Sequence, residues 1–461
     1  MISTIARTHA VGLVTTLTSF GLTACASLDP SDDLGTAGSL FEERTGLPVN
    51  WNDPWPQVTG DWRSEDALDP NAVARLALTN HPGIRSAVES VHQARADFVQ
   101  AHLLPNPVIN LVLGFPIDGG PGNPAMGSLL QPLAVLWQRS AEIDEADSRL
   151  RAAVFALSDA SVTLVADAKR AHAAALFAER DLELETRARE LAHESAELVR
   201  RQLAVGEASG LQRNRAEMVR VEADLRIAAA EGQFDTARRT LAGLCGLAGT
   251  DLFPDLDRTP FEAPESVSEL SETDLIELAE AQRLDLAAAR EIASGAIDSV
   301  RLAELRRFRA LSLGVALQRN FQDRNAFGPA LGLEIPLFDD GRASVARAES
   351  MARAAEAELE AIRQSALVEV RSAWVRYRTG VLRLQSAREE LLALATSNLR
   401  LAEESLVRGV GDRVAVLDFA RREVDAKLRV SQLELAVVES FYELERAAGG
   451  RLVVFVEEGE Q

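Results

Sequence analysis

The chain is written twice. Residues near 72–245 and 274–448 read in the same order: helix, strand, loop, strand, very long helix, Gly turn, second long helix. The copies can be laid over each other. Pro82-Gly83-Ile84-Arg85-Ser86-Ala87 falls on Leu284-Asp285-Leu286-Ala287-Ala288-Ala289 at an offset of 202. Gln131-Pro132-Leu133 falls on Ile335-Pro336-Leu337 at an offset of 204, and Gly206 on Gly409 at 203. A repeat this steady over most of the chain constrains the architecture before any single residue is interpreted.

The composition says what each copy is made of. Among 461 residues there are only 17 Pro and 29 Gly, and Ala, Leu, Glu and Arg dominate. That is the usage of long helices and coiled coils. Aromatics are 5% of the chain, too few for a large conventional core. Past the N-terminus no run of about 18 apolar residues supports a spanning helix.

The first residues read as a secretory signal over 1–24: Arg7 and His9 in a polar start, then a mostly apolar Val11 to Ala24. Leu22-Thr23-Ala24-Cys25 resembles a bacterial lipobox, which makes Cys25 the lipidated first residue of the mature chain. The plainer alternative is an ordinary signal peptide with an incidental Cys. Ala26 follows Cys25 where an Asp would, by the same resemblance, signal retention at the inner membrane. The one other cysteine, Cys245, then has no disulfide partner and reads as a buried small hydrophobe. The formal charge of −21 becomes −22 once Arg7 is removed with the signal. Such an acidic chain disfavours nucleic acid and anionic-lipid surfaces, and suits a soluble acidic surface or a pore that favours cations.

Beyond the signal, residues 25–68 lack a sustained period and read as an extended arm. Asp69-Pro70 caps a helix running to about Leu104 with a kink at His81-Pro82. The first repeat spans 69–250, with strands at about 107–116 and 126–135 and a coiled-coil pair at about 138–245. A linker at 251–270 leads to the second repeat at 271–449. Its first helix starts on a capping-box pattern, Ser271 to Asp274, and runs to about Arg307. Its strands fall at about 309–320 and 328–338, its coiled-coil pair at about 342–448, and 450–461 is a tail. Leu311, Leu313, Val315 and Leu317 alternate with small or polar residues, as do Leu331, Leu333, Ile335 and Leu337. The second coiled coil carries a seam of Leu384, Ala387, Leu391, Ala395, Leu399, Ala402 and Leu406. Helices of roughly 65 residues reach on the order of 100 Å and project from any single-chain globule.

Four strands of this length suit a membrane, about 9–11 residues each. Four cannot close a membrane barrel, which needs at least about eight, and open edges are not tolerated in lipid. Strands that enter a membrane therefore demand several chains. Trp137 and Phe338, just past the second strand of each copy, fit an interfacial aromatic girdle or simple packing.

Catalytic patterns are poor. His193-Glu194 lacks the second His of a zinc-protease helix. Gly409-Val410-Gly411 lacks a third Gly and follows a helix, so it is a turn and not a nucleotide loop. Asp251, Asp255 and Asp257 do not match a calcium loop. No metal site, cofactor or catalytic grouping is expected, and the chain does not read as an enzyme.

With the duplicated plan, the strand ends Pro132-Leu133 and Pro336-Leu337, and the tips Leu203-Ala204-Val205-Gly206 and Gly409 to Phe419, the chain resembles the TolC-type outer-membrane efflux proteins, in their lipoprotein branch. The resemblance covers about residues 70–450. It implies a mainly α fold with a small membrane β part. The duplicated helix–strand–strand–long helix–helix unit would build a trimeric twelve-stranded β-barrel continuing into a periplasmic coiled-coil tunnel. It implies a homotrimer in outer-membrane lipid, a periplasmic adaptor protein, an inner-membrane pump of the proton-driven resistance-nodulation-division type, no cofactor and no nucleic acid. The function implied is a passive, gated export duct. A lipid-anchored periplasmic coiled-coil adaptor or scaffold is the alternative, and it leaves the alternating strands unexplained. The family often carries two acidic residues near the closed tip. Asp418 falls on one and Ala415 on the other, with Asp412 close by. Asp418 and Asp412 are the candidate gate, the plainer alternative being that Asp412 caps a helix and Asp418 is a solvated coiled-coil position; Gly206, Gly409 and Gly411 are the coiled-coil tip turns. At an offset of 203 the first tip has Ser209 and Arg215 in place of those acids, so the gate would be threefold.

Overall fold

The computed structural model describes residues 27–52, 67–115, 117, 122–249, 253, 255–259, 261, 267, 270–308, 311–320, 322 and 324–452. The signal, Cys25 and most of the terminal tail lie outside them. The elements are α1 (Ser31–Thr45), α2 (Pro70–Asn80), α3 (Pro82–His102), β1 (Val108–Leu113), β2 (Ala125–Pro132), α4 (Val135–Ala204) and α5 (Gly210–Leu244). They continue with α6 (Glu272–Gln282), α7 (Leu284–Leu305), β3 (Leu311–Arg319), β4 (Asn325–Leu333), α8 (Arg342–Ser386), a π turn (Ala387–Leu392), α9 (Ala393–Val407) and α10 (Arg413–Ala448). The chain divides into two compact units. One takes residues 1–36, 87–156 and 285–362 and carries the sheet; the other takes 37–86, 157–284 and 363–461 and carries both helical turns.

The arm is not wholly extended. It contains α1, whose first turn carries Asp32 and Asp33, favourable at a helix N-terminus. Leu34, Ala37 and Phe41 recur at helical spacing and are buried. That short apolar stripe is the signal that an extended reading of 25–68 passes over.

The helix expected from 69 to 104 breaks at its predicted kink, His81-Pro82, and the one expected to run from 271 to about 307 is also two helices. Asp69 caps α2 by accepting from Ala72 N–H at 2.6 Å. At His81 the backbone turns extended (ψ 123°), because Pro82 disfavours the helical conformation in the residue before it. Arg283 adopts the same conformation (ψ 124°) with no proline after it. There the break is imposed by packing. The buried Arg283 guanidinium donates to Glu369 at 2.9 Å and to the Ala447 carbonyl at 3.2 Å, and Arg44 donates to the Gln282 carbonyl at 3.3 Å. Both breaks receive the glycine that ends the repeat's last helix. A Cβ on Gly246 would lie 2.9 Å from the Asn80 carbonyl oxygen, and one on Gly449 would lie 2.9 Å from the Arg283 nitrogen. Both glycines hold a positive φ, +71° and +95°. The same junction is thus built twice, once from a proline signal and once from side-chain contacts.

The four strands form one antiparallel sheet in the order β1-β2-β3-β4. They are shorter than the sequence suggests, and β4 begins earlier. Pro107 has no N–H to extend β1, and Pro132 is the last paired residue of β2. The β3–β4 ladder closes at Leu311 opposite Leu333, so Ile335 and Leu337 lie beyond the paired ladder. The register puts Ile109, Leu111, Leu129, Leu313, Val315, Leu317, Phe327, Leu331 and Leu333 on one face. The other holds Asn110, Ser128, Ser312, Gly314, Ala316, Ala326, Gly328, Ala330 and Gly332, with Val108, Val112, Met126 and Leu130 of the first hairpin among them, so only the second hairpin has a wholly small or polar second face. The apolar face is exposed, with Ile109 at 77% and Phe327 at 74%. Phe338 is fully exposed, whereas Trp137 lies in the first turn of α4, half-buried.

Helix α4 runs 70 residues without interruption, on the order of 105 Å. Its second-copy counterpart contains the π turn. An α-helix returns to the same face after four residues, a π turn after five. Ala387 is therefore followed in the seam by Leu392, which packs with Val430 and Leu433 of α10. The expected seam residue Leu391 is exposed. Three successive steps of four, Ala387 to Leu399, are the sequence trace of that extra residue.

Candidate gate at the helical turns

Each coiled-coil pair reverses through the same turn. At the first, the Gly206 N–H donates to the Leu203 carbonyl at 3.1 Å and the Glu207 N–H to the Gln202 carbonyl at 2.9 Å. At the second, Gly409 N–H donates to Leu406 at 3.0 Å and Val410 N–H to Ser405 at 3.1 Å. These bonds satisfy the last carbonyls of α4 and α9 and need a left-handed residue. Gly206 (φ +82°) and Gly409 (φ +77°) supply it. Gly411 is required for space instead, since a Cβ there would stand 2.7 Å from the Leu406 nitrogen. Val407 and Val410 are left 89% and 82% exposed at the second turn.

The returning helices are capped from equivalent positions. Ser209 accepts from Gln212 N–H at 3.2 Å in a capping box, and Asp412 accepts from Val414 N–H at 3.1 Å. The carboxylate singled out as a gate group at Asp412 is thus engaged as an N-cap. Replacing either Asp412 or Ser209 by Ala is expected to loosen its tip by about 1 kcal/mol. Faster amide hydrogen exchange confined to the first turn of α10 or α5 checks this.

Asp418 is half-exposed on the second turn of α10 and is held by its own helix. Arg422 donates to it at 2.9 Å and Arg421 at 3.3 Å. Arg421 also reaches Asp425 at 2.9 Å, Asp425 pairs with Arg226 of α5 at 2.9 Å, and Arg226 lies 3.7 Å from Glu185 of α4. Burial pushes the Glu185 carboxyl up, against the opposing pull of Arg226. A second link joins Arg413 to Glu194 at 2.7 Å. Beneath these ions Leu417, Val424 and Leu428 pack on Ala188 and Leu191. The structure therefore ties Asp418 by a chain of charges to both helices of the first coiled coil. Arg421 and Arg422 were legible at three and four residues from Asp418. Arg226, Glu185 and the Arg413–Glu194 pair join different helices and left no sequence signal. Each exposed pair contributes roughly 0–1 kcal/mol, so the linkage positions the helices more than it stabilises them.

Residues 73–247 and 275–450 each match the family model of the outer membrane efflux protein, one match per repeat. The chain belongs to that family. This efflux protein is 22% identical over 367 residues to the cobalt-zinc-cadmium resistance protein CzcC of Cupriavidus metallidurans, covering 78% of this chain and 85% of that one. In fold it is similar to a membrane protein from Pseudomonas aeruginosa, with a TM-score of 0.67, 21% identity and coverage of 88% and 98% of the two chains. It is similar too to the Campylobacter jejuni CmeC outer membrane channel, with a TM-score of 0.67, 15% identity and coverage of 91% and 98%. The function is efflux at the outer membrane, and the members of this family are channels.

Proposed function

We propose that the chain is the outer-membrane duct of a tripartite efflux system, assembled as a homotrimer and anchored by lipid at Cys25. The sheet carries the argument. It presents one continuous apolar face, has edges at β1 and β4, and holds four strands. Four is an even number, so β4 of one chain meets β1 of the next in antiparallel sense. Three chains then close twelve strands with the face of Ile109, Leu111, Leu129 and Leu313 toward lipid, and the face of Asn110, Ser128 and the β3–β4 small residues, with Val108, Val112, Met126 and Leu130 among them, toward the lumen. The helical turns suit docking to a periplasmic adaptor, and through it to an inner-membrane pump of the proton-driven resistance-nodulation-division type.

Three copies of Asp418, with the charge of Asp412 beside them, form a cation-favouring constriction at the second tips. The acidic chain and the metal-resistance relative both point to cationic cargo. Asp418→Ala is expected to raise single-channel conductance and weaken block by divalent cations in planar bilayers. Unchanged block removes Asp418 from the gate. Heat-resistant trimers in outer-membrane fractions test the assembly. Loss of acyl-chain labelling in Cys25→Ser, with trimers retained, tests the anchor.

A further inference from the structure

The π turn gives one helix two apolar stripes, one residue apart. The stripe in use is Leu392, Ala395, Leu399 and Ala402, half-buried along α9. The second is Leu391, Leu394 and Leu401, exposed by 46%, 64% and 50%. Leu391 and Leu394 line one side of a groove of about 320 Å³, and Phe419, Arg422, Asp425 and Ala426 of α10 line the other. The equivalent stretch of the first copy, Leu184 to Arg189, is plain α-helix within α4.

We infer that Ala387–Leu392 is a register switch for the second tip. If the turn relaxes to α-helix with α8 held fixed, every later residue advances one position, about 1.5 Å and 100° around the axis. Leu391 then takes the place of Leu392, Leu394 of Ala395, Asn398 of Leu399 and Leu401 of Ala402. Two alanines are exchanged for leucines and one leucine for asparagine, so the second register also has a seam. The rotation takes Leu391 out of the groove it shares with Arg422 and Asp425 and seats it on Val430 and Leu433, while Leu394 moves to the place of Ala395 in that groove. Arg422 holds Asp418 directly, and Asp425 is joined to it through Arg421. The added length enters the turn at Ser405–Gly411, where Gly409 and Gly411 give the backbone latitude.

The present register is pinned at the start of the turn and beyond it. Arg388 pairs with Glu434 at 2.6 Å, and Glu434 also holds Arg180 of α4 at 2.6 Å. Beyond the turn Thr396 donates to Glu423 at 3.4 Å. A shift by one residue puts Ala395 where Thr396 stands and gives up that last bond, while Arg388 keeps its place.

This inference rests on the channel reading, and the experiment separates the two. Full-length protein carrying Leu392→Cys with Val430→Cys is compared with Leu391→Cys with Val430→Cys, both in membranes and as purified channels in planar bilayers. Cys245 is buried and its thiol is pushed up to about 12, so it does not compete for oxidation. The expected result is that both pairs form disulfides. The 392–430 bond should lock channels in their low-conductance state until reductant is added, and the 391–430 bond should hold them open. A 391–430 disulfide that never forms, or 392–430 channels that open normally when oxidised, overturns the switch. If the unmodified protein makes no channels, the channel reading fails instead, and the 391–430 disulfide still decides whether two registers exist.

Discussion

Gly314→Val is expected to abolish heat-resistant trimers in outer-membrane fractions while leaving the helical part folded. Gly314 sits on the small-residue face of β3, paired with Leu130. A Cβ there would overlap the Leu129 carbonyl oxygen and lie 2.8 Å from its carbonyl carbon and 2.9 Å from the Leu130 Cα. All three are backbone atoms of the neighbouring strand, so no side-chain rotation relieves the clash. Forcing a valine in costs roughly 3 kcal/mol or more and separates β2 from β3. That contact joins the hairpin of the first repeat to the hairpin of the second, and without it a chain presents two separate hairpins with four open edges. Open edges are not tolerated in lipid, so assembly stops. Gly328→Val is the control, since a Cβ there meets nothing within 4 Å. Trimers from Gly314→Val equal to those of Gly328→Val would show that the β2–β3 contact does not govern assembly.

Gly449→Val is expected to be the most destabilising change in the helical part, by roughly 2–4 kcal/mol. Two causes add. The residue holds φ +95°, and its missing Cβ lets the backbone close on Gln282 and Arg283. Gly206→Val isolates the first cause, because φ is +82° with open space around it, and should cost roughly 1–2 kcal/mol. Thermal unfolding of detergent-solubilised protein gives the difference. The same junction has a pH signature. Burial pushes the Glu369 carboxyl up, but Arg283 and Arg446 outweigh it and hold it below its ordinary value. A carboxyl depressed in the folded state stabilises fully above its unfolded pKa of about 4.3, and loses that contribution as pH falls through the lower folded value. Arg283→Ala should therefore lower stability at neutral pH by roughly 3 kcal/mol and flatten the acid limb of the stability curve. An acid limb as steep as that of the unaltered protein would place the linkage elsewhere.

Much of the fold was legible because it depends on local chemistry repeated twice. Gly206 and Gly409 announce turns through the left-handed conformation that other residues resist. Asp69 and Ser271 announce helix starts by capping. Leu311 to Leu317 announce a strand with one greasy face. The strand limits were less legible, since a ladder ends where its partner ends, as β4 does opposite Leu311. The arm helix α1 was missed because its apolar stripe is only three residues long. At the candidate gate, Asp418 was found through resemblance, while its tie to Asp425, Arg226 and Glu185 depends on three helices meeting.

Periodicity, capping and glycine conformation are set within a few residues, so the duplicated plan, the helical turns, the alternating strands and the family resemblance could be read from residue order alone. The break at Arg283 and the place of Leu392 instead of Leu391 in the seam came from tertiary packing. Both depend on contacts between residues far apart in the chain: the Arg283 guanidinium reaching Glu369 and Ala447, and the α10 core receiving Leu392.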